Sequence, residues 1–125
     1  MILDTNALSA AADSDPALVA ILARAEELAI PVIVLGEYRH GIAQSRRRAS
    51  YESWLSGLLN DCMVLDVNEP TTHYYAEITL ELKRKGKPIP TNDIWIAALC
   101  RQHSLPLLSQ DRHFDCIAAS RRIGW

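Results

Sequence analysis

Four carboxylates stand where a chain of this kind does chemistry. Asp4 follows a short apolar run at residues 1–3, Glu37 lies just past the apolar run 30–35, and Asp111 lies beyond the run 105–109. Asp93 falls in the first turn of a predicted helix. Three acids at the ends of predicted strands and one opening a helix share one end of an α/β sheet, where residues distant in sequence converge. Two like charges 4 Å apart repel by about 4 kcal/mol at an effective dielectric near 20. Such a cluster protonates, spreads apart or binds a cation. Oxygen donors without a His or Cys set favour Mg²⁺ or Mn²⁺. A bound ion of that kind activates water, polarises a phosphoryl oxygen and, as a pair, clamps both ends of an in-line displacement. The reaction class is then phosphodiester hydrolysis. Taken singly, each acid reads better as a helix cap or a solvated loop residue than as a catalytic group. Only the set is informative.

The elements that must position these acids alternate between strand and helix. Residues 1–3 read as a strand opening into a loop at Asp4, Thr5 and Asn6. Asp15 and Pro16 start a helix over 16–29, with Leu18, Val19, Ile21, Leu22, Ala25 and Leu28 as its apolar stripe. The β-branched run 30–35 reads as a buried parallel strand, with Pro31 at its start. A kinked helix or two short ones fill 37–59, broken near Gly41, with Tyr51, Trp54, Leu55, Leu58 and Leu59 at helical spacing. Residues 62–67 are a strand candidate. Asn68 and Pro70 open a helix that Gly86 ends. Thr91 or Asn92 caps the next helix, which runs to about His103; residues 105–109 form a strand, 110–115 a loop, and 122–125 a final strand candidate. This alternation means an α/β layer fold with a parallel sheet.

With 125 residues, 49% hydrophobic and 22% charged, the chain can bury a sizeable core. Surface scaling gives roughly 6,700 Å² exposed when folded against about 20,000 Å² unfolded. No linker, repeat or low-complexity stretch divides it, so residues 1–125 read as one domain. Thirteen basic and fifteen acidic residues leave a net charge of −2, which excludes a polybasic nucleic-acid coat and an acidic tail. Cys62, Cys100 and Cys116 are odd in number and too widely spaced for a zinc motif or redox pair, so all three read as buried small apolar residues in a reducing compartment. Neither a basic n-region with an apolar h-region nor a membrane-length apolar run is seen, and the expected location is the cytoplasm, with no membrane partner.

Four segments in order carry a resemblance: Leu3-Asp4-Thr5-Asn6, Gly36-Glu37-Tyr38-Arg39-His40-Gly41-Ile42, Thr91-Asn92-Asp93-Ile94-Trp95-Ile96-Ala97-Ala98, and Leu108-Ser109-Gln110-Asp111-Arg112-His113-Phe114. They resemble the four acidic motifs of the PIN-domain ribonucleases, and within these the VapC-type toxins of prokaryotic toxin-antitoxin systems. Each motif alone is weak; four in order at family spacing, covering nearly the whole chain, are specific. The resemblance implies a three-layer α/β fold with a central parallel sheet of about four to five strands flanked by helices. It also implies a Mg²⁺ or Mn²⁺ site, endonuclease activity on RNA, a homodimer, and neutralisation by a co-expressed VapB-type antitoxin. Carried over, Asp4, Glu37, Asp93 and Asp111 are the acidic quartet, while Thr5 and Asn6 orient Asp4 and the metal waters and Asp115 supplements Asp111. Asp4, Glu37 and Asp93 would hold the principal ion, and Asp111 a second ion or the attacking water. The fourth motif departs from the commonest pattern by having Ser109 and Gln110 where Thr and a basic residue often stand, though the hydroxyl is kept. An antitoxin of this kind would reach the acidic crevice with a basic side chain and cover an apolar groove with a helix.

Other features have competing readings. Arg46, Arg47 and Arg48, beside Arg39 and His40, either contact phosphates flanking the scissile bond or form a solvated helix start. Lys83, Arg84, Lys85 and Lys87 read first as cations favouring a helix C-terminus. His40, His73, His103 and His113 lack ligand spacing, which argues against a zinc enzyme and makes them surface or capping residues. Tyr51, Trp54 and Leu55 share a helical face that reads first as core, with a dimer contact or an antitoxin groove as alternatives. Trp95 faces the interior or flanks the crevice. Two rival functions stand beside the nuclease. A response-regulator-like signalling domain fits less well, because its acidic pair and late lysine are missing, and a haloacid dehalogenase would need a second Asp where Asn6 stands. A catalytically inert PIN-fold binding module is the other alternative.

Overall fold

The computed structural model describes residues 1–125 and places the first strand at the centre of a sheet. In chain order the elements are β1 (Ile2–Leu3), α1 (Thr5–Ala12), α2 (Pro16–Arg24), β2 (Ala29–Pro31), α3 (Val32–Ile42), α4 (Arg48–Leu59), β3 (Met63–Leu65), α5 (Glu69–Lys85), α6 (Thr91–His103), β4 (Leu107–Leu108), a 3-10 helix (Arg112–Cys116) and β5 (Arg122–Ile123). The five strands lie in the order β3-β2-β1-β4-β5, all paired in parallel. This is the expected α/β architecture. The accessible surface is 7157 Å², close to the roughly 6,700 Å² that mass scaling gives.

Successive strand residues face opposite sides of a sheet. Ile2 and Leu107 belong to the larger apolar cluster with Val34, Leu35, Ile78 and Leu99 from α3, α5 and α6. Leu3 and Leu108 belong to a second one with Ala7, Ala11 and Leu18 from α1 and α2. Helices therefore cover both faces, and the strands, only two or three residues long, are held by those layers as much as by their ladders. No helix is long and apolar enough to cross a membrane.

Three sequence readings are corrected. The expected loop after Asp4 is helix α1, whose N-cap is Asp4 and whose buried residues Ala7, Leu8 and Ala11 form a one-sided stripe. The expected strand 30–35 ends at Pro31, and Val32 already begins α3. Glu37 therefore rides on a helix rather than following a strand. A continuous apolar run does not distinguish strand from helix by period; here burial of Val34, Leu35, Tyr38 and Ile42 at helical spacing decides. The three cysteines are free but half-buried, not fully enclosed. Trp54 packs against both apolar clusters, and Trp95 stacks on Tyr75 with ring centroids 3.9 Å apart, so it ties α6 to α5.

A candidate metal centre at the carboxyl ends of β1 and β4

The chain turns from β1 one way to β2 and β3, and returns on the other side of β1 with β4 and β5. The reversal of strand order leaves a crevice outside the carboxyl ends of β1 and β4. Their register, Ile2 opposite Leu107 and Leu3 opposite Leu108, brings Asp4 and Ser109 out side by side. The Asp4 N–H donates to the Leu108 carbonyl at 3.3 Å.

Asp4 Oδ1 accepts the Ala7 N–H at 2.8 Å, capping α1, and only 5% of the residue is exposed. Burial pushes its pKa above the usual carboxylate range; the Ser109 side chain and the Ala7 N–H pull it back, while Asp111 and Glu37 push it further up. Glu37 projects from α3, and the Thr5 hydroxyl donates to its Oε1 at 3.0 Å. Thr5 thus orients Glu37, not the expected Asp4. The Asn6 side chain is exposed and makes no hydrogen bond within the chain. Asp93 sits in the first turn of α6. Burial raises its pKa, His113 lowers it, and Glu37, Asp111 and Asp4 raise it. Asp111 follows a turn in which its own N–H donates to the Ser109 hydroxyl at 3.0 Å.

His113, read from sequence as a surface or capping residue, lies between two of the acids. Its Nε2 is 2.9 Å from Asp93 Oδ2 and its Nδ1 is 2.9 Å from Asp111 Oδ1. The contact to Asp93 is close yet misdirected, so Nε2 is buried without a true hydrogen bond. Asp93, Asp111 and His113 each offer a ligand atom within 4.8 Å of the others. Spacing rules for histidine ligands look for paired histidines along a helix and pass over this one. The available signal was its position two residues after Asp111 inside the fourth motif. Buried Phe114 anchors the turn that carries it.

Of the remaining residues singled out by sequence, Asp115 is taken up by Arg122 in two contacts of 2.9 and 3.0 Å, which hold its carboxyl below the usual range. Arg122 also donates to the Ser109 carbonyl at 3.1 Å, so Asp115 braces the site through that arginine rather than joining the acids. Arg39 pairs with Glu52 at 2.7 Å. Arg47 lies over the Tyr51 ring, 4.9 Å from its centroid. Arg46 and Arg48 are exposed and without an ion-pair partner in the chain. Three arginines at the start of α4 oppose the helix dipole, a local conflict that a solvated face alone does not explain.

Carboxylates whose charges help raise the pKa values of Asp4 and Asp93, with two of the acids and an imidazole in ligating range, are a donor set that a divalent cation fits. Comparison with known proteins bears on the chain as a whole. Residues 1–119 match the family profile of the PIN domain. Ribonuclease VapC2 of Rickettsia felis is 34% identical over 100 residues, 77% of this chain and 75% of that protein. Ribonuclease VapC5 of Mycobacterium tuberculosis is 28% identical over 99 residues, 74% of this chain and 70% of that protein. The crystal structure of VapBC2 from Rickettsia felis bound to a DNA fragment from their promoter superposes with a TM-score of 0.87 at 28% identity, covering 99% of this chain and 97% of that one.

Proposed function

The chain belongs to the PIN-domain family, and from that membership we propose that it is a metal-dependent endoribonuclease toxin of the VapC type, hydrolysing RNA phosphodiester bonds and held inactive by a VapB-type antitoxin. The observation that carries the proposal is the convergence of Asp4, Glu37, Asp93 and Asp111, from four segments, at one end of the sheet. These four would hold Mg²⁺ or Mn²⁺, which when bound lowers the pKa of a water and offsets charge developing at the phosphorus. Thr5 keeps Glu37 turned toward the cluster, and the Ser109 hydroxyl fixes the backbone that presents Asp111. His113 lies between Asp93 and Asp111, with a ring nitrogen 2.9 Å from each. The unpaired Arg46 and Arg48, with Arg47, are the side chains we assign to phosphates flanking the cleaved bond; Arg39 serves there only by leaving Glu52. Residues 1–125 act as one domain, in the cytoplasm, as a homodimer whose state light scattering would read.

The relatives named for ribonuclease activity, and the neighbouring structure that pairs a VapC with a VapB, support both the reaction and the inhibitor. Cleavage of a mixed structured RNA pool by the purified chain, with Mn²⁺, Mg²⁺ or EDTA, tests it beside Asp93→Asn. Cutting to 5′-phosphate and 3′-hydroxyl ends is expected with metal, with a loss of at least a hundredfold in EDTA and in the variant. Cutting that persists in EDTA, or cyclic-phosphate ends, would overturn the metal-carboxylate reading. No cutting together with no Mn²⁺ binding by calorimetry would instead favour an inert binding module.

A further inference from the structure

Beside the acids, a cavity of about 180 Å³ opens between α1, α3 and α4, walled by Thr5, Ser9, Asp13, Glu37, Tyr38 and Tyr51. Glu37 belongs to both the cavity and the carboxylate cluster, so the two are continuous. Tyr38 is 3% exposed, and its phenol oxygen is buried without any hydrogen-bond partner. A buried polar group left unpaired is costly, so it points to a ligand atom that completes it. Across the cavity the Tyr51 hydroxyl donates to Asp13 Oδ1 at 2.7 Å, leaving Oδ2 free to accept. Gly41 also lines the space, and a Cβ placed there would meet nothing within 4 Å.

Resting on the ribonuclease reading above, we propose that this cavity is a base-reading subsite that takes the Watson–Crick edge of a guanine adjoining the bond to be cleaved. Room for about six waters, at about 30 Å³ each, is too small for a drug-sized ligand and suits one planar ring system. Single-stranded RNA is read on such edges, with aromatic side chains for stacking. Guanine offers N–H donors for the free Asp13 Oδ2, and an O6 acceptor for the Tyr38 hydroxyl. An arginine side chain from a protein partner supplies donors only, and would leave the Tyr38 proton unbonded. Arg47, held over the Tyr51 ring, sets a guanidinium near the cavity mouth for the neighbouring phosphate.

The test uses the full chain and three variants: Asp13→Asn, Tyr38→Phe and Gly41→Leu. In the first arm the 5′-monophosphates of guanosine, adenosine, cytidine and uridine are titrated while the NMR ring signals of Tyr38 and Tyr51 are followed. Guanosine monophosphate is expected to shift both rings, with binding weakened at least tenfold in each variant. In the second arm cleavage sites in an RNA pool are mapped with Mn²⁺; cuts beside guanine are expected to slow about tenfold to a hundredfold in Asp13→Asn. Ring shifts that do not depend on the base, a preference for another base, or variants that change neither readout would overturn the subsite. So would variants that lose only the binding of a Gly-Arg-Gly peptide, which would give the cavity to a protein partner. A wild-type chain that binds guanosine monophosphate through Asp13 but cuts no RNA sinks the ribonuclease reading and leaves the guanine site standing.

Discussion

Asp4 serves two structural demands that conflict. As N-cap it must present an oxygen to the Ala7 N–H, and as a buried neighbour of Asp111 and Glu37 it resists ionisation. Asparagine keeps the accepting oxygen and drops the charge, whereas alanine drops both. In EDTA at neutral pH, Asp4→Asn is expected to unfold at higher urea than the wild type, and Asp4→Ala to fall about 1 kcal/mol below the Asn variant. An Asn variant less stable than the wild type would mean that the acids do not oppose one another. Both variants should lose RNA cleavage. Sequence exposed this residue through its motif, but only as a chemical group at the end of a strand. Its second task as a cap was among the readings open for any single acid, but the residue type alone could not say that this acid serves both. His113 stayed hidden for a different reason: its closeness to Asp93 depends on how α6 packs against the turn after β4, and no local spacing encodes that.

The long helix α5 shows what local rules do encode. Asn68 and Thr71 form a reciprocal cap, Pro70 sits in the first turn, three basic residues fill the last turn, and Gly86 closes the helix at φ 63°. All but the Thr71 half of the cap were visible along the chain. The Gly86 position has open space around it, so Gly86→Ala adds no clash and isolates backbone strain, with an expected cost of about 1–2 kcal/mol in thermal unfolding. Helix α6 ends in the same left-handed conformation, but with Ser104 at φ 54°. Ser104→Gly is therefore expected to stabilise, by up to about 1 kcal/mol. A gain at Gly86 or a loss at Ser104 would contradict the assigned helix ends. Helix α1 carried weaker signals, a short alanine-rich segment whose cap looked like a catalyst. Helix α3 was concealed by its β-branched opening, and its helical state is imposed by packing of Tyr38 and Ile42 rather than by propensity.

At the scale of the whole molecule, protons and metal ions bear on the same acids. The pKa values of Asp4 and Asp93 are raised on folding, so the folded chain binds their protons more tightly than the unfolded one. Their favourable contribution is full below the ordinary value of 3.8 and is lost as pH rises through the raised folded values. Glu81 runs the other way: burial would raise it, but the Ala118 N–H, Arg101 and Lys85 outweigh that and lower it. Its contribution is present above the ordinary 4.5 and is lost as pH falls through the lowered value. In EDTA, melting temperature is therefore expected to rise as pH falls from neutral toward the raised values of Asp4 and Asp93, and to fall again in stronger acid where Glu81 protonates. Mn²⁺ at a hundred times its dissociation constant should restore about 2.7 kcal/mol at neutral pH. A metal-free stability that does not fall as pH rises through the range where Asp4 and Asp93 ionise would refute the linkage. The strand order has a consequence in time as well. β1 leaves the ribosome before its neighbour β4, which comes only after β2 and β3 with their helices. Until residues 107–111 have emerged, Asp4 has no Asp111 beside it. On the reading proposed here, an RNA-cutting chain is harmless to the ribosome that makes it until that segment is out, because its centre exists in separate pieces until then.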